Sequence, residues 1–256
     1  MAIQMTIFSS LKSTTKTQTF YLRRVVATRL AVCGRFNFLS HKKAVEERFG
    51  VKKFDFEIVP RYNIAPTQQI AAILADPEVQ LVGMHWGFIP FWAKDKNIGN
   101  RMINARSETV AESKAFKHSF MKKRCLIPAT GFYEWRKIGK VKKPMHIRLE
   151  SRQPFAFAGI YNHWKSPSGN TLMSCAILTT SPNELLEPIH NRMPVVLQRK
   201  DESMWLDPEN EDVENLKRLL NPYASEHMEA YEISTYVNST SNTGPMCTVP
   251  VESASL

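Results

Sequence analysis

The feature that most constrains the fold is a series of short β-like segments, several of them joined to the next by only a few residues. Seven such segments are rich in β-branched and aromatic residues: 70–75, 79–88, 124–128, 131–138, 145–149, 155–164 and 172–179. Short connections join antiparallel strands, whereas parallel strands need crossovers of a dozen or more residues. The order therefore predicts an α+β single domain with a largely antiparallel, barrel-like twisted sheet that is flanked by short helices.

Helix signals are fewer than strand signals. Ser40 and Ser107 are predicted N-caps of two short helices, because a serine oxygen accepts a hydrogen bond from an unpaired N–H of the first turn. The segment Ser181-Pro182-Asn183-Glu184 has the form of a capping box with proline at the first helical position. It predicts a short helix that ends at His190.

The two ends of the chain differ in composition from its middle. The first 31 residues hold five bases and no acid, and the first acid is Glu46. We interpret residues 1–32 as an N-terminal extension, either an Arg-rich targeting segment or sequence upstream of the true start. The domain is predicted over residues 33–237, and the Ser/Thr/Asn/Pro-rich residues 238–256 are predicted to form a flexible tail.

Charge and cysteine usage narrow the classes of function only slightly. The net charge is +10, and without the first 31 residues it is +5, from 29 bases and 24 acids. Such a bias is compatible with a nucleic-acid partner but does not require one. No apolar run approaches the ~20 residues of a membrane span. The four cysteines lack the spacing of a zinc site or a redox pair, so we expect reduced thiols, no metal, no cofactor and a cytoplasmic location.

Several polar residues lie among apolar or turn-forming neighbours, and each has a structural interpretation as well as a catalytic one. Cys33 is either a small buried hydrophobe or a nucleophile. Glu134 either faces solvent or lies in a cleft, where burial would raise its pKa toward that of a general acid. For Asn104, the structural alternative is a hydrogen bond to nearby backbone groups. For His190, it is a structural role at the end of a helix.

Six segments, taken together and in this order, resemble the SOS-response-associated peptidase family, whose members process abasic sites and crosslink to DNA. The resemblance extends from Cys33 to about Val237. The segments are Cys33-Gly34-Arg35-Phe36, Tyr62-Asn63-Ile64-Ala65-Pro66, Trp86-Gly87-Phe88-Ile89-Pro90, Asn104-Ala105-Arg106-Ser107-Glu108, Gly131-Phe132-Tyr133-Glu134-Trp135 and His190-Asn191-Arg192-Met193-Pro194-Val195.

The resemblance implies that a terminal cysteine closes a thiazolidine ring on the aldehyde of an abasic site. Cys33 would be the nucleophile, and Glu134 would donate and accept protons, with lyase activity when the link is reversed. His190 would orient or protonate the sugar oxygens, and Asn104 would hydrogen-bond the opened sugar or the terminal amine. The partner would be single-stranded DNA that contains abasic sites, and the protein would be a monomer.

The resemblance also implies the contacts with DNA. Guanidinium groups suit phosphate oxygens, and aromatic rings suit unstacked bases. Within the aromatic segment that includes Pro90, core packing is the alternative to a role as a base platform. The residues assigned to DNA binding are Arg35, Arg106, Arg192, Trp86, Phe91, Trp92, Asn63 and Pro66.

One departure from the family pattern affects the chemistry. In the family the cysteine is terminal once the initiator methionine is removed, whereas here Val32 precedes Cys33. An amide nitrogen cannot form a Schiff base. We therefore expect that translation starts at Val32, with the initiation codon read as methionine, or that residues 1–32 are removed. Removal would be carried out by the protein itself or by a targeting protease. The third alternative is that the activity has been lost.

Two other functions remain open at this stage. One is a cysteine peptidase that uses Cys33 with His190 and Glu134, acting either on other proteins or only on itself. The other is a non-covalent single-strand binding module. We also expect residues 1–31 to be loosely packed and the mature protein to begin at Cys33.

Overall fold

The computed structural model describes residues 33–251. The expectations for residues 1–32 and for residues 252–256 lie outside this range. The strands are β1 (Phe36–Phe38), β2 (Lys53–Phe54), β3 (Arg61–Ile64), β4 (Gln69–Ala75), β5 (Val79–Trp86), β6 (Asn104–Arg106), β7 (Arg124–Ala129), β8 (Gly131–Ile138), β9 (Val141–Leu149), β10 (Phe155–Lys165), β11 (Thr171–Thr180), β12 (Met193–Pro194) and β13 (Met228–Glu232). The α-helices are α1 (Lys42–Phe49), α2 (Lys117–Lys122), α3 (Glu202–Leu206) and α4 (Val213–Arg218). Short 3₁₀ helices cover Lys96–Arg101, Arg199–Asp201, Ser225–His227, Thr235–Asn238 and Pro245–Cys247.

Five strands form a closed barrel. Strands β11, β10, β7, β4 and β5 are antiparallel neighbours in that order, and parallel pairing of β5 with β11 closes the ring. Closure leaves these five strands without a free edge between them, which protects a sheet from pairing with another chain. Strand β6 adds to β11 in parallel. The predicted α+β architecture with a barrel-like sheet is confirmed, although the parallel closure was not foreseen.

A second sheet of five antiparallel strands has the order β13-β9-β8-β1-β3. Strand β1 joins it to the barrel through Phe36, whose ring lies 5.2 Å from the ring of Trp86 and 5.8 Å from that of Phe157, both edge to face. Burial of an aromatic side chain of this size contributes about 2–3 kcal/mol. The contact fixes the start of β1, and therefore Cys33, beside β8.

Three of the predicted helix starts are wrong in detail. His41, not Ser40, caps α1, because its Nδ1 accepts a hydrogen bond from the Ala44 N–H at 3.3 Å. After Ser107 the chain makes turns before α2 begins at residue 117. Residues 184–189 also form turns instead of a helix, although the Asn183 side chain accepts from the Leu186 N–H at 3.0 Å as a cap would.

The segment from residue 238 to residue 251 is packed against the domain. The Asn63 amide donates to the carbonyl oxygens of Val237, Ser239 and Asn242 at 3.1, 3.0 and 2.8 Å. Cys247 is buried, and residue 250 forms a β-bridge with residue 233. The prediction of a flexible tail from residue 238 is therefore wrong for this segment. Its polar composition is typical of a flexible tail, but hydrogen bonds from the buried Asn63 amide hold it against the domain.

Within residues 33–251, no helix is both long enough and apolar enough to cross a membrane.

Candidate active site

The centre of the candidate site is a contact between Cys33 and Glu134. The backbone nitrogen of Cys33 donates a hydrogen bond to Glu134 Oε1 at 2.8 Å. Only 4% of Cys33 and 3% of Glu134 is exposed to solvent. Cys33 has a φ of 50°, which is uncommon for a residue other than glycine and is found often at functional sites. The alternative in which Glu134 faces solvent is therefore wrong.

Burial changes the proton affinity of both groups. Burial raises the pKa of the Glu134 carboxyl, and the nearby His190 and the hydrogen bond from Cys33 partly oppose that change. The pKa of the Cys33 thiol is also raised, first by burial and then by the neighbouring Glu134. The pair therefore consists of a neutral thiol and a carboxyl whose proton affinity is suited to proton transfer nearer neutral pH.

The loop before β12 brings an imidazole and a guanidinium to this pair. The Arg192 backbone N–H donates to His190 Nδ1 at 3.2 Å, and the Arg192 carbonyl oxygen lies 3.3 Å from the same nitrogen. Arg192 forms an ion pair with Glu108 and donates to the Thr179 carbonyl oxygen at 2.6 Å. Its hydrogen bond holds the pKa of Glu108 below the usual range, and its charge acts against the raised thiol pKa of Cys33.

Strand β6 carries two more predicted site residues, and one of them, Arg106, lies near Arg192. β6 runs parallel to β11, with Arg106 opposite Thr179, the residue whose carbonyl accepts from Arg192. Side chains alternate along a strand, so Asn104 and Arg106 share one face while Ala105 is buried on the other. Arg106 is exposed and Asn104 is half-buried.

Arg35 and Asn63 make their contacts inside the protein. The Arg35 guanidinium donates to Asn63 Oδ1 at 2.7 Å and to the carbonyls of Val237 at 2.7 Å and Asn238 at 3.1 Å. It also lies 5.9 Å from the ring of Trp135. These two residues, predicted to contact DNA, tie the segment after β13 to the start of β1. Pro66 follows β3 and is half-buried.

The predicted aromatic platform divides into a buried part and an exposed part. Trp86 is 0% exposed, and its Nε1 donates to the Ile103 carbonyl at 2.9 Å. Core packing is thus the correct interpretation for Trp86, which has no face on which a base can stack. Phe91 and Trp92 are 69% and 53% exposed, and these two rings remain available for that role.

A buried polar network behind the site was missed by sequence reasoning. Asn37 Nδ2 donates to the Tyr133 hydroxyl at 2.9 Å and contacts His146 Nε2 at 2.7 Å. The signal that would have found it is the position of Asn37 and His146 in the middle of strongly apolar strand segments. Buried polar groups are almost always hydrogen-bonded, so two such residues predict a partner for each.

Comparison with known proteins establishes the family. The family model described as SOS response associated peptidase (SRAP) matches residues 32–240. The chain belongs to this family. The match includes Cys33, Asn104, Glu134 and His190, and the fold brings three of them, Cys33, Glu134 and His190, close to one another.

Relatives of this SRAP protein carry a common name. It is 47% identical over 218 residues to the abasic site processing protein YoqW of Bacillus subtilis, a match over 84% of this chain and 97% of the relative. YoaM, an abasic site processing protein of the same organism, is 46% identical over 215 residues, 82% of this chain and 95% of the relative. A crystal structure from Bacteroides thetaiotaomicron superposes with a TM-score of 0.76 at 28% identity, over 86% of this chain and 100% of that one.

Proposed function

We propose that this SRAP protein processes abasic sites in single-stranded DNA by forming a thiazolidine crosslink through Cys33, when Cys33 carries a free α-amine. Family membership and the names of its relatives support a role at abasic sites. The observation that carries the chemistry is the distance of 2.8 Å between the Cys33 nitrogen and Glu134 Oε1. The nitrogen that would attack the sugar is already in contact with a buried proton acceptor.

The first steps open the sugar and join it to the amine. The abasic sugar opens when its anomeric hydroxyl gives up a proton and its ring oxygen gains one, and the product is an aldehyde. The amine nitrogen of Cys33 attacks the aldehyde carbon, and loss of one water gives an imine. Glu134 exchanges the protons at the nitrogen, and His190 is the donor for the sugar oxygens.

The last step closes the ring. The Cys33 sulfur adds to the imine carbon, the thiol proton leaves, and the imine nitrogen gains one proton. The balance is aldehyde plus aminothiol giving thiazolidine plus water, with no oxidant or reductant. A protonated thiol suits this order, because the raised thiol pKa keeps the sulfur from acting before the imine exists.

Three kinds of contact would hold the DNA. Arg106, which is exposed, and Arg192, beside the thiol, would hold phosphates near the lesion. Phe91 and Trp92 would support the bases that flank it. Arg35 and Asn63 would contribute indirectly, because their contacts with residues 237–242 fix the start of β1. Asn104 would hydrogen-bond the opened sugar.

Intact mass spectrometry tests the proposal. Protein that begins at Cys33 is mixed with a single-stranded oligonucleotide that carries one abasic site. We expect a species with the summed mass of protein and DNA less one water, stable to denaturing electrophoresis. An oligonucleotide with a tetrahydrofuran site, which has no aldehyde, is the matched DNA control.

Two protein controls separate the steps. A chain that retains residues 1–32 lacks the amine and should form no stable link. Cys33→Ala lacks the thiol and should form at most an imine, which only a borohydride reductant would trap. Absence of any adduct from folded protein that begins at Cys33 would refute the proposal, and so would equal labelling of the tetrahydrofuran strand.

A second candidate activity is self-cleavage between Val32 and Cys33. It is favoured by the same contact, since the Cys33 nitrogen is the leaving atom of that peptide bond and its neighbour Glu134 has a raised pKa. Water would add its oxygen to the Val32 carbonyl carbon as the bond to the Cys33 nitrogen breaks. Glu134 would give a proton to the leaving nitrogen and regain one from the water. General peptide hydrolysis is less well supported, because the Cys33 thiol is neutral rather than a thiolate.

Incubation of the purified full chain tests this second activity. We expect the mass of residues 1–32 to be lost at a rate that does not depend on protein concentration, and Glu134→Gln to slow the loss. An unchanged mass after prolonged incubation of folded protein would exclude self-cleavage.

A further inference from the structure

The strongest unassigned feature is the hairpin of β8 and β9 beyond Glu134. From Arg136 to Lys143, five of eight residues are Lys or Arg and none is acidic. We refer to residues 136–143 as the basic hairpin. Among the described residues, only one of its five cations, Lys143, forms a salt bridge, to Glu232 at 2.9 Å.

The register of the basic hairpin sets like charges against each other. Arg136 lies opposite Lys143, and Lys137 lies opposite Lys142. Like charges directly opposite on paired strands destabilise a sheet. A polyanion bound along the hairpin would relieve this repulsion, since each phosphate lowers the potential at two neighbouring cations.

The basic hairpin extends directly from the candidate site. Residues two apart on a strand share a face, and so do directly paired residues. Arg136 and Lys143 therefore lie on the face of Glu134, and Ile138 and Val141 lie on the same face at the tip. The Cα of residue 138 is about 13 Å from that of residue 134 at ~3.3 Å per residue. This length corresponds to at most about four phosphates at the ~3.4 Å axial spacing of one duplex strand.

The tip of the hairpin combines charge with apolar surface. Ile138 and Val141, which pair with each other, are 47% and 58% exposed. Lys137, Lys140 and Lys142 surround them and are also exposed. An apolar pair flanked by cations suits a nucleic-acid strand, which presents phosphates on one side and base or sugar surfaces on the other.

We propose that the basic hairpin is a second DNA-binding surface, which holds the phosphate backbone of the strand on one side of the lesion and does so without base preference. The proposal rests on the proposed function of the Cys33 site for the identity of the partner. It assigns the hairpin to affinity and to the length of the bound strand, and not to the chemical step.

A triple variant tests the proposal. Arg136→Gln, Lys140→Gln and Lys143→Gln are combined, because Arg136 and Lys143 lie on the face of Glu134 and Lys140 lies at the exposed tip, whereas Lys137 and Lys142 lie on the opposite face. The matched control combines Lys43→Gln, Lys52→Gln and Lys200→Gln, three exposed lysines elsewhere with the same change in charge. Both variants begin at Cys33, and thermal unfolding checks that each is folded.

The readouts are affinity, its salt dependence and the rate of crosslinking. We expect the hairpin variant to bind an abasic oligonucleotide about tenfold more weakly. The slope of log affinity against log salt should fall by about 2, since each lost contact with a single strand removes ~0.7. Two further oligonucleotides each extend on only one side of the lesion. The hairpin variant should bind one of them more weakly than the unaltered protein does, and should bind the other equally well. The crosslinking rate at saturating DNA should stay within twofold.

Failure of this proposal differs from failure of the proposed function. If the unaltered protein forms no crosslink, the function is wrong whatever the hairpin does. If crosslinking occurs but the hairpin variant matches the unaltered protein or the control variant in affinity and salt slope, the hairpin proposal is wrong. It is also wrong if polyglutamate binds the hairpin as tightly as the oligonucleotide does, since the surface would then suit an acidic protein.

Discussion

The two faces of strand β8 are both buried and both polar, yet they are built differently. On one face Glu134 accepts a hydrogen bond from the Cys33 nitrogen, and burial raises the pKa of both the Glu134 carboxyl and the Cys33 thiol. On the other face Tyr133 and His146 stack 5.1 Å apart and share Asn37 as a common partner. Burial alone therefore does not identify a reactive face.

The two faces differ in the kind of group that accepts their hydrogen bonds. The Tyr133 hydroxyl accepts from Asn37 and donates to the Tyr62 carbonyl at 2.6 Å. Because Asn37 donates to His146 Nε2, the ring proton is on Nδ1, which faces the Tyr231 hydroxyl at 2.8 Å. Every donor in this hydrogen-bond network meets a neutral acceptor, so the network makes the sheet more rigid. On the Glu134 face the acceptor is instead a carboxyl whose pKa is raised by burial.

The largest expected effect is on the Glu134 face. Glu134→Gln keeps an oxygen that accepts from the Cys33 nitrogen but removes the exchangeable proton. We expect crosslinking to slow by about 100- to 10,000-fold, with DNA binding retained. The rate is measured on denaturing gels at saturating abasic DNA, with the exposed Glu150→Gln as control. A full rate for Glu134→Gln, or lost binding, would mean that Glu134 is structural.

The next effect is on the opposite face and depends on pH. Burial lowers the pKa of His146 to about 3, below its ordinary value near 6.5. The folded protein thus binds this proton less readily than the unfolded chain, so the stability linked to His146 is present above pH ~6.5 and is lost as the pH falls toward 3. Between pH 7 and 4, the unaltered protein should lose about 3 kcal/mol more than His146→Gln, at ~1.4 kcal/mol per pH unit.

Urea unfolding at both pH values measures this difference. The change with pH is compared within each protein, so any fixed cost of the substitution cancels. His118→Gln, which alters an exposed histidine, should lose as much stability as the unaltered protein. Parallel curves for all three proteins would show that His146 is protonated in the folded state and that the network is not neutral.

A smaller effect tests whether the two faces are independent. Tyr133→Phe leaves the Tyr62 carbonyl and one buried Asn37 N–H without their partner, which costs about 1–3 kcal/mol. The crosslinking rate at saturating DNA should change by less than twofold. Tyr236→Phe, at an exposed tyrosine, serves as control for stability. A loss of rate comparable with that of Glu134→Gln would show that the network is part of the chemistry.

The smallest effect is expected at Arg106, the exposed cation on strand β6. Arg106→Gln removes one exposed cation, so we expect DNA binding to weaken by about 1 kcal/mol and the salt slope to fall by about 0.7. The free energy of unfolding should stay within ~0.5 kcal/mol. Fluorescence anisotropy over a range of salt measures this, with Arg199→Gln as an exposed control. An unchanged slope would remove Arg106 from the DNA contacts.

Much of the fold and of the site followed from local sequence. The alternation of apolar residues predicted most strands of the barrel, and six motifs predicted that Cys33, Glu134 and His190 belong together. The same local reasoning did not establish that Trp86, Glu134 and Asn63 are buried. In each case burial depended on a partner far along the chain, such as Val237 for Asn63.

The sequence by itself determined the antiparallel character of the sheet, the residue types of the site and the family to which they belong. These follow from side-chain alternation and from motifs that are short and contiguous. Only the tertiary structure decided that the barrel closes through β5 and β11, that Trp92 is exposed while Trp86 is buried, and that the Cys33 nitrogen meets Glu134. The physical reason is distance along the chain: Cys33 and Glu134 are 101 residues apart, and no local preference fixes the register that joins them.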